Sequence, residues 1–160
     1  MARLELVRDG AAAYVPCPDC GHHIDVSTAG LEWTIHSPRD VADRLICQLG
    51  SLPREELHVL LLTARNRVVA QERLYQGNVS SAQVRVGELF REAVHRHLPE
   101  ISLVHNHPSG DPTPSPDDLA LTAEAIAAGR LLDIAVLDHI VIGGDGYISL
   151  RDRGVAFDQR

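Results

Sequence analysis

Between residues 105 and 118 the chain reads His-Asn-His-Pro-Ser-Gly-Asp-Pro-Thr-Pro-Ser-Pro-Asp-Asp, and this stretch restricts the fold more than any other. Its four prolines, at 108, 112, 114 and 116, each fix a backbone angle and remove an amide donor. Neither a helix nor a central strand can run through it. Before it, Ile101 to Val104 is a short apolar run of the kind that forms a buried strand. After it, Ser115 at an N-cap, Pro116 at the first helical position and an acid at the third make a helix start. A strand end and a helix start are therefore tied by a stiff loop. Residues i and i+2 on an extended segment point the same way, so His105 and His107 can converge on one point with Asp118 facing them. Two imidazoles and a carboxylate form a zinc ligand set that leaves a fourth position for water. Taken alone, a His-x-His pair is a weak metal signal. Taken alone, Asp118 reads more readily as a helix cap. The two roles of Asp118 are compatible, because a helix start also fixes the direction of a ligand.

The remaining pattern is α/β. Ser37-Pro38 and Asp40 open a helix whose apolar positions are Val41, Leu45, Ile46 and Leu49, and Gly50 ends it. Leu57 to Leu62 reads as a buried strand and Val68 to Tyr75 as its partner across the Asn66 turn. Val86, Leu89, Phe90, Ala93, Val94 and Leu98 mark an amphipathic helix. The spacing predicts a further helix over 115–130, a strand over 134–142, and a last strand over 147–150. Gly143-Gly144-Asp145-Gly146 lies between those strands and reads as a hairpin turn, not a phosphate loop, because no helix follows it. Strands and helices alternate, so a sheet covered by helices is expected. Residues 1–34 are rich in Gly, Pro and Ala and read as an N-terminal extension, residues 35–155 as the main domain and 156–160 as a tail.

With 160 residues and 44% hydrophobic residues the chain can bury a full core, and with 4% aromatics Leu, Val, Ile and Ala must supply it. The net charge of -7 works against binding to a phosphate backbone, and Arg85, Arg91 and Arg96 are interspersed with Glu88, Glu92 and Glu100 instead of forming a basic patch. No apolar run reaches the ~18–20 residues of a membrane span, and the first ten residues lack the apolar centre of a signal peptide. A cytoplasmic location is expected, in keeping with only three cysteines.

The spacing His-x-His, seven residues, Ser, two residues, Asp is the JAMM signature of the JAB/MPN metalloproteases, and His105, His107, Ser115 and Asp118 match it without a gap. The wording of 103–118, together with "IHSPRDVADRL" at 35–45, "ARNRVV" at 64–69 and "GRLLDIAVLDHIVIG" at 129–143, resembles the RadC branch of that family. The resemblance covers roughly residues 35–155. It implies a three-layer JAB/MPN-like, cytidine-deaminase-like mixed sheet flanked by helices. It also implies Zn2+ held by His105, His107 and Asp118, with Ser115 stabilising a tetrahedral intermediate. A glutamate upstream would handle the proton of the zinc-bound water. Alignment with RadC relatives assigns that role to Glu55, whereas a shorter Glu-x-x-Gly pattern would choose Glu56. The implied activity is hydrolysis of a protein or peptide amide, a bond to a ubiquitin-like partner being one such substrate.

Two other readings stay open from the same resemblance: a DNA-repair-associated protein and a non-catalytic interaction module. RadC proteins typically carry a helix-hairpin-helix region at the N-terminus, and this chain has a CxxC segment there instead. Cys17-Pro18-Asp19-Cys20 is either half of a zinc ribbon or a plain turn; Cys47 and His36 lack characteristic spacing for completing it. Asp138-His139 reads as a strand position packed near the site. His22, His23, His36, His58, His95 and His97 read as surface or boundary residues. An exposed edge strand offers a means of forming a homodimer.

Overall fold

The computed structural model describes residues 33–77 and 84–157, together with the backbone of three short strands nearer the N-terminus. Those strands are β1 (Val7–Asp9), β2 (Ala12–Pro16) and β3 (His23–Asp25), joined as a small antiparallel sheet. Cys17, Cys20 and His22 lie outside the described residues.

The main unit contains β4 (Trp33–Thr34), α1 (Pro38–Leu49), β5 (Glu55–Leu62), β6 (Arg67–Gly77), α2 (Val86–His95), β7 (Glu100–His107), α3 (Pro116–Leu132), β8 (Ala135–Gly143) and β9 (Gly146–Ser149). Its six strands form one curled sheet in the order β4-β6-β5-β7-β8-β9. Only β7 and β8 are parallel, and α3 is the crossover between them. The expected mixed sheet flanked by helices is present.

Strand alternation sorts the core onto two faces. Leu57, Val59, Leu61, Ile101 and Leu103 pack against Leu89, Phe90 and Ala93 of α2 and Leu121 and Ala125 of α3. The intervening Leu60, Leu62 and Val104, with Ile140 and Ile142, pack against Val41, Leu45, Ile46 and Leu49 of α1. The central strands are thus covered on both sides, which is why they read as continuous apolar runs. It also corrects the expectation for His58: this residue sits on β5 at 3% exposure, not at the surface. His36, His95 and His97 are exposed as expected.

Helix starts follow their capping residues. Asp40 accepts hydrogen bonds from the backbone N–H groups of His36 and Ser37 at 2.8 Å each, closing the N-terminus of α1. Asp118 plays the same part for α3. One boundary differs from expectation in a way that matters. β7 does not stop at Val104 but continues through His107, because its polar residues find buried partners.

Candidate metal centre

His105 and His107 alternate on β7, so both face the α3 side of the sheet, as Ile101 and Leu103 do. Asp118 is the third residue of α3 and projects back at them from the helix start. The three side chains converge. Nε2 of His105 is 2.9 Å from Nε2 of His107 and 3.2 Å from Oδ1 of Asp118, and Nε2 of His107 is 3.4 Å from Oδ2 of Asp118. Zinc bonds of ~2.0–2.1 Å in a tetrahedron place ligand atoms about 3.3 Å apart, which matches these separations. Among the described residues this is the one cluster of three metal-capable side chains. Cys47, half-buried in α1, and His36 do not belong to such a cluster.

The hydrogen bonds behind the ligands fix which nitrogens carry protons. Nδ1 of His107 is 2.9 Å from the carbonyl oxygen of Asp111, an acceptor only. That nitrogen must therefore donate. Nδ1 of His105 is 2.7 Å from Nε2 of His139, and Nδ1 of His139 is 2.6 Å from the Thr122 hydroxyl, which donates to the Asp118 carbonyl at 2.5 Å. The hydroxyl has one proton, so it accepts from His139 Nδ1–H, and His139 Nε2 accepts from His105 Nδ1–H. Burial holds the His139 pKa well below its ordinary value, and the neighbouring His105 charge lowers it further, so the ring is neutral as this arrangement requires. With both Nδ1 atoms donating, each ligand imidazole, when neutral, presents a bare Nε2 to Asp118 and to the other. The ligand atoms of these three side chains lie within 4.8 Å of one another and could hold a metal ion.

Hydrogen bonding to Asp118 raises the His107 pKa against the opposing effect of burial. Burial disfavours ionisation of Asp118, yet hydrogen bonds to His105 and His107 outweigh it and hold this carboxyl far below the usual range. Asp118 is ionised at every physiological pH.

The remaining predicted site residues fall around this centre. Ser115 caps α3, and its hydroxyl donates to Asp118 Oδ2 at 2.6 Å while its backbone N–H donates to the same oxygen at 2.6 Å. Glu55 opens β5 and shares the face of Leu57 by alternation. Leu57 stands opposite His105 in the antiparallel β5–β7 ladder, so Glu55 lies at the His107 end. Its charge adds to the raised His107 pKa. Glu56 points to the other face, where its carboxylate accepts from Arg73 and Gln76 at 3.1 Å each and meets His58 Nε2 at 3.0 Å. The structure thus brings together His105, His107, Asp118, Ser115 and the backbone of Glu55, and sends the Glu56 side chain away from them.

Sequence reading did not find the residues that support the ligands. His139 was expected near the site but without a role, and Thr122, the Asp111 carbonyl and Asn106 carried no signal of their own.

Comparison with known proteins identifies the family. A family model described as a RadC-like JAB domain matches residues 35–155. A UPF0758 protein of Chloroflexus aurantiacus is 45% identical over 148 residues, which cover 92% of this chain and 65% of that protein. One from Roseiflexus castenholzii is 42% identical over 139 residues, covering 87% and 60%. One from Symbiobacterium thermophilum is 39% identical over 156 residues, covering 96% and 67%. The chain therefore spans about two thirds or less of the length of these relatives. Together with the matched domain model, these identities show that the chain belongs to the family of RadC-like JAB domains.

Proposed function

We propose that this domain is a zinc-dependent hydrolase of protein or peptide amides, built on the three-layer, cytidine-deaminase-like arrangement of JAB/MPN metalloproteases. The observation that carries the reading is the convergence of two imidazole Nε2 atoms and one carboxylate at tetrahedral spacing. His105, His107 and Asp118 would hold the ion. Bound there, zinc lowers the pKa of a coordinated water to ~7 and polarises a carbonyl oxygen.

The chain's own residues supply the rest. Glu55, at the His107 end of the ladder, accepts the proton of the attacking water and returns it to the leaving amine. Ser115 donates its hydroxyl proton to the oxyanion. In the metal-free structure that hydroxyl donates its hydrogen bond to Asp118 Oδ2, and the Ser115 backbone N–H still donates to the same oxygen when the hydroxyl turns away. Nδ1–H of each ligand histidine stays fixed on its acceptor throughout, which keeps Nε2 aimed. The substrate proposed is an amide in a protein or peptide, with a ubiquitin-like partner as one candidate.

The test begins with zinc per chain, by elemental analysis of chelator-free protein, for wild type and His107→Ala. One zinc lost in the variant supports the reading, and hydrolysis of a peptide-amide library that disappears in Glu55→Gln completes it. Equal zinc in the two proteins, or none in either, overturns it. A zinc-loaded protein inert toward every amide would favour an interaction module instead.

A further inference from the structure

Between the two histidines lies a residue that faces the other way. Asn106 is fully buried at 0% exposure. Its Oδ1 accepts the backbone N–H of Glu56 at 2.8 Å, and its Nδ2 donates to the backbone carbonyl of Arg54 at 3.1 Å. These two backbone groups flank Glu55 on either side. The paired ladder between β5 and β7 runs from Leu62–Glu100 to Leu57–His105. Beyond that pair the Asn106 amide continues the connection, with one donor and one acceptor standing in for the missing ladder bonds. The backbone of Asn106 is itself paired with Ile142 of β8, so its side chain extends from a fixed base.

We infer that Asn106 is a positioning residue for Glu55: it clamps the peptide groups on both sides of that residue and so fixes the carboxylate relative to His105 and His107. The assignment of Glu55 to proton handling rests on the proposed function; the clamp itself rests on the hydrogen bonds. The chemistry demands an amide. Aspartate at 106 keeps the acceptor but faces the Arg54 carbonyl with a second acceptor. An apolar residue leaves the buried Glu56 N–H and the part-buried Arg54 carbonyl without this partner, the costly half of losing a hydrogen bond for the buried one. His-x-His with Asn in the middle thus links the two ligands and the residue opposite them through a single three-residue segment.

The test uses the whole chain, as wild type, Asn106→Asp and Asn106→Ala, with two readouts. The first is amide hydrogen exchange of the metal-free protein by NMR. The Glu56 amide should exchange about tenfold faster in Asn106→Ala, which loses its acceptor, the size expected from one lost hydrogen bond, and stay protected in Asn106→Asp, which keeps it, while Val59 and Leu103 keep their protection in both. The second is the set of pseudocontact shifts caused by added Co2+. Co2+ affinity should change less than ~3-fold, well short of the 10–100-fold that loss of a ligand's own partner brings. Amides of α3 should keep their shifts, while those of residues 54–56 collapse toward an average. Unchanged Glu56 exchange in Asn106→Ala, or unchanged shifts at 54–56, overturns the inference. So does uniform loss of protection across the core, which would mark Asn106 as a general structural residue. Should Asn106→Ala not fold, Asn106→Leu, branched at the same atom and equally without an acceptor, takes its place. Should wild type bind no Co2+, the metal-centre reading fails and the exchange result still judges the clamp.

Discussion

Nδ1 of His105 lies 2.7 Å from Nε2 of His139, with both rings at 1% exposure or less and 34 residues apart in the chain. This contact sets the tautomer of a ligand from a different strand. Removing the acceptor frees the His105 ring to rotate and to protonate at the wrong nitrogen. His139→Leu, close in volume but without an acceptor, should weaken zinc binding by ~10–100-fold. His139→Gln retains an acceptor oxygen and should recover part of the loss. Competition against a chromogenic chelator measures both, and equal affinity for wild type and His139→Leu would show that the ring does not orient His105.

Zinc binding should depend on pH through His107. Its pKa is raised in the metal-free protein, first by hydrogen bonding to Asp118, with Glu55 contributing. A proton on Nε2 must leave before the metal enters. Asp118, held ionised, contributes no such competition above pH 4. Affinity should therefore climb as pH rises through the raised His107 pKa and level off above it. The same pair determines how the metal-free fold responds. A raised histidine pKa stabilises the fold below the unfolded value, ~6.5, and that stability is lost as pH rises through the folded value. Thermal melts between pH 7 and 9, above the range where the lowered pKa values of His58 and His139 act in the opposite sense, should show the metal-free Tm falling while the gain from added zinc grows. A zinc affinity that stays flat from pH 6 to 8 would exclude His107 as a ligand.

Gly143 should be intolerant of any side chain. It stands opposite His107 in the β7–β8 ladder. A Cβ there would meet the Pro112 nitrogen at 2.5 Å, the Asp111 carbonyl carbon at 2.7 Å and the Gly110 oxygen at 2.8 Å. All three are backbone atoms of the stiff loop, and the Asp111 carbonyl is the acceptor that orients His107. Gly143→Ala should cost about 1–3 kcal/mol and lower zinc affinity as well. Gly146→Ala, whose Cβ would find its nearest neighbour at 3.6 Å, is the control. Denaturant melts with and without zinc separate the two effects, and equal behaviour of the two variants would reject the role of close packing at 143.

These relationships mark where the sequence was legible. His105, His107, Ser115 and Asp118 were readable because each rule involved is local: alternation on a strand, proline in a loop, an acid at a helix start. The strand-loop-helix order allows them to meet, and the match to the JAMM spacing is what joined them into one site. Partners contributed from distant strands were not readable. His139, Thr122 and Asn106 act across separations of 17 to 52 residues, and nothing in their own neighbourhoods announces it. The end of β7 was misjudged for the same reason: His-Asn-His looks like loop until buried partners for its polar groups are known. His58 was misplaced although Leu57 to Leu62 reads as a buried strand, because its buried partner, Glu56, becomes visible only in the structure.

Glu100, at the start of β7, provides a last test, independent of the metal. Its Oε2 atom is buried without a hydrogen-bond partner, and burial raises its pKa. A carboxyl whose folded pKa exceeds the unfolded one holds its proton more tightly in the native state. Stability then falls as pH rises from the unfolded value, ~4.3, through the folded one. At neutral pH the fold therefore carries a partly desolvated charge with one oxygen unanswered. Glutamine has the same shape and no charge, and burying it costs less. Glu100→Gln should raise Tm at pH 7 by roughly 2–4 °C, the response to about 1 kcal/mol in a domain of this size. The gain should vanish near pH 4, where wild type is protonated too. Calorimetry at both pH values measures this. A gain of equal size at pH 4 would assign the effect to packing, and a loss at pH 7 would mean that the carboxylate has a partner in solution.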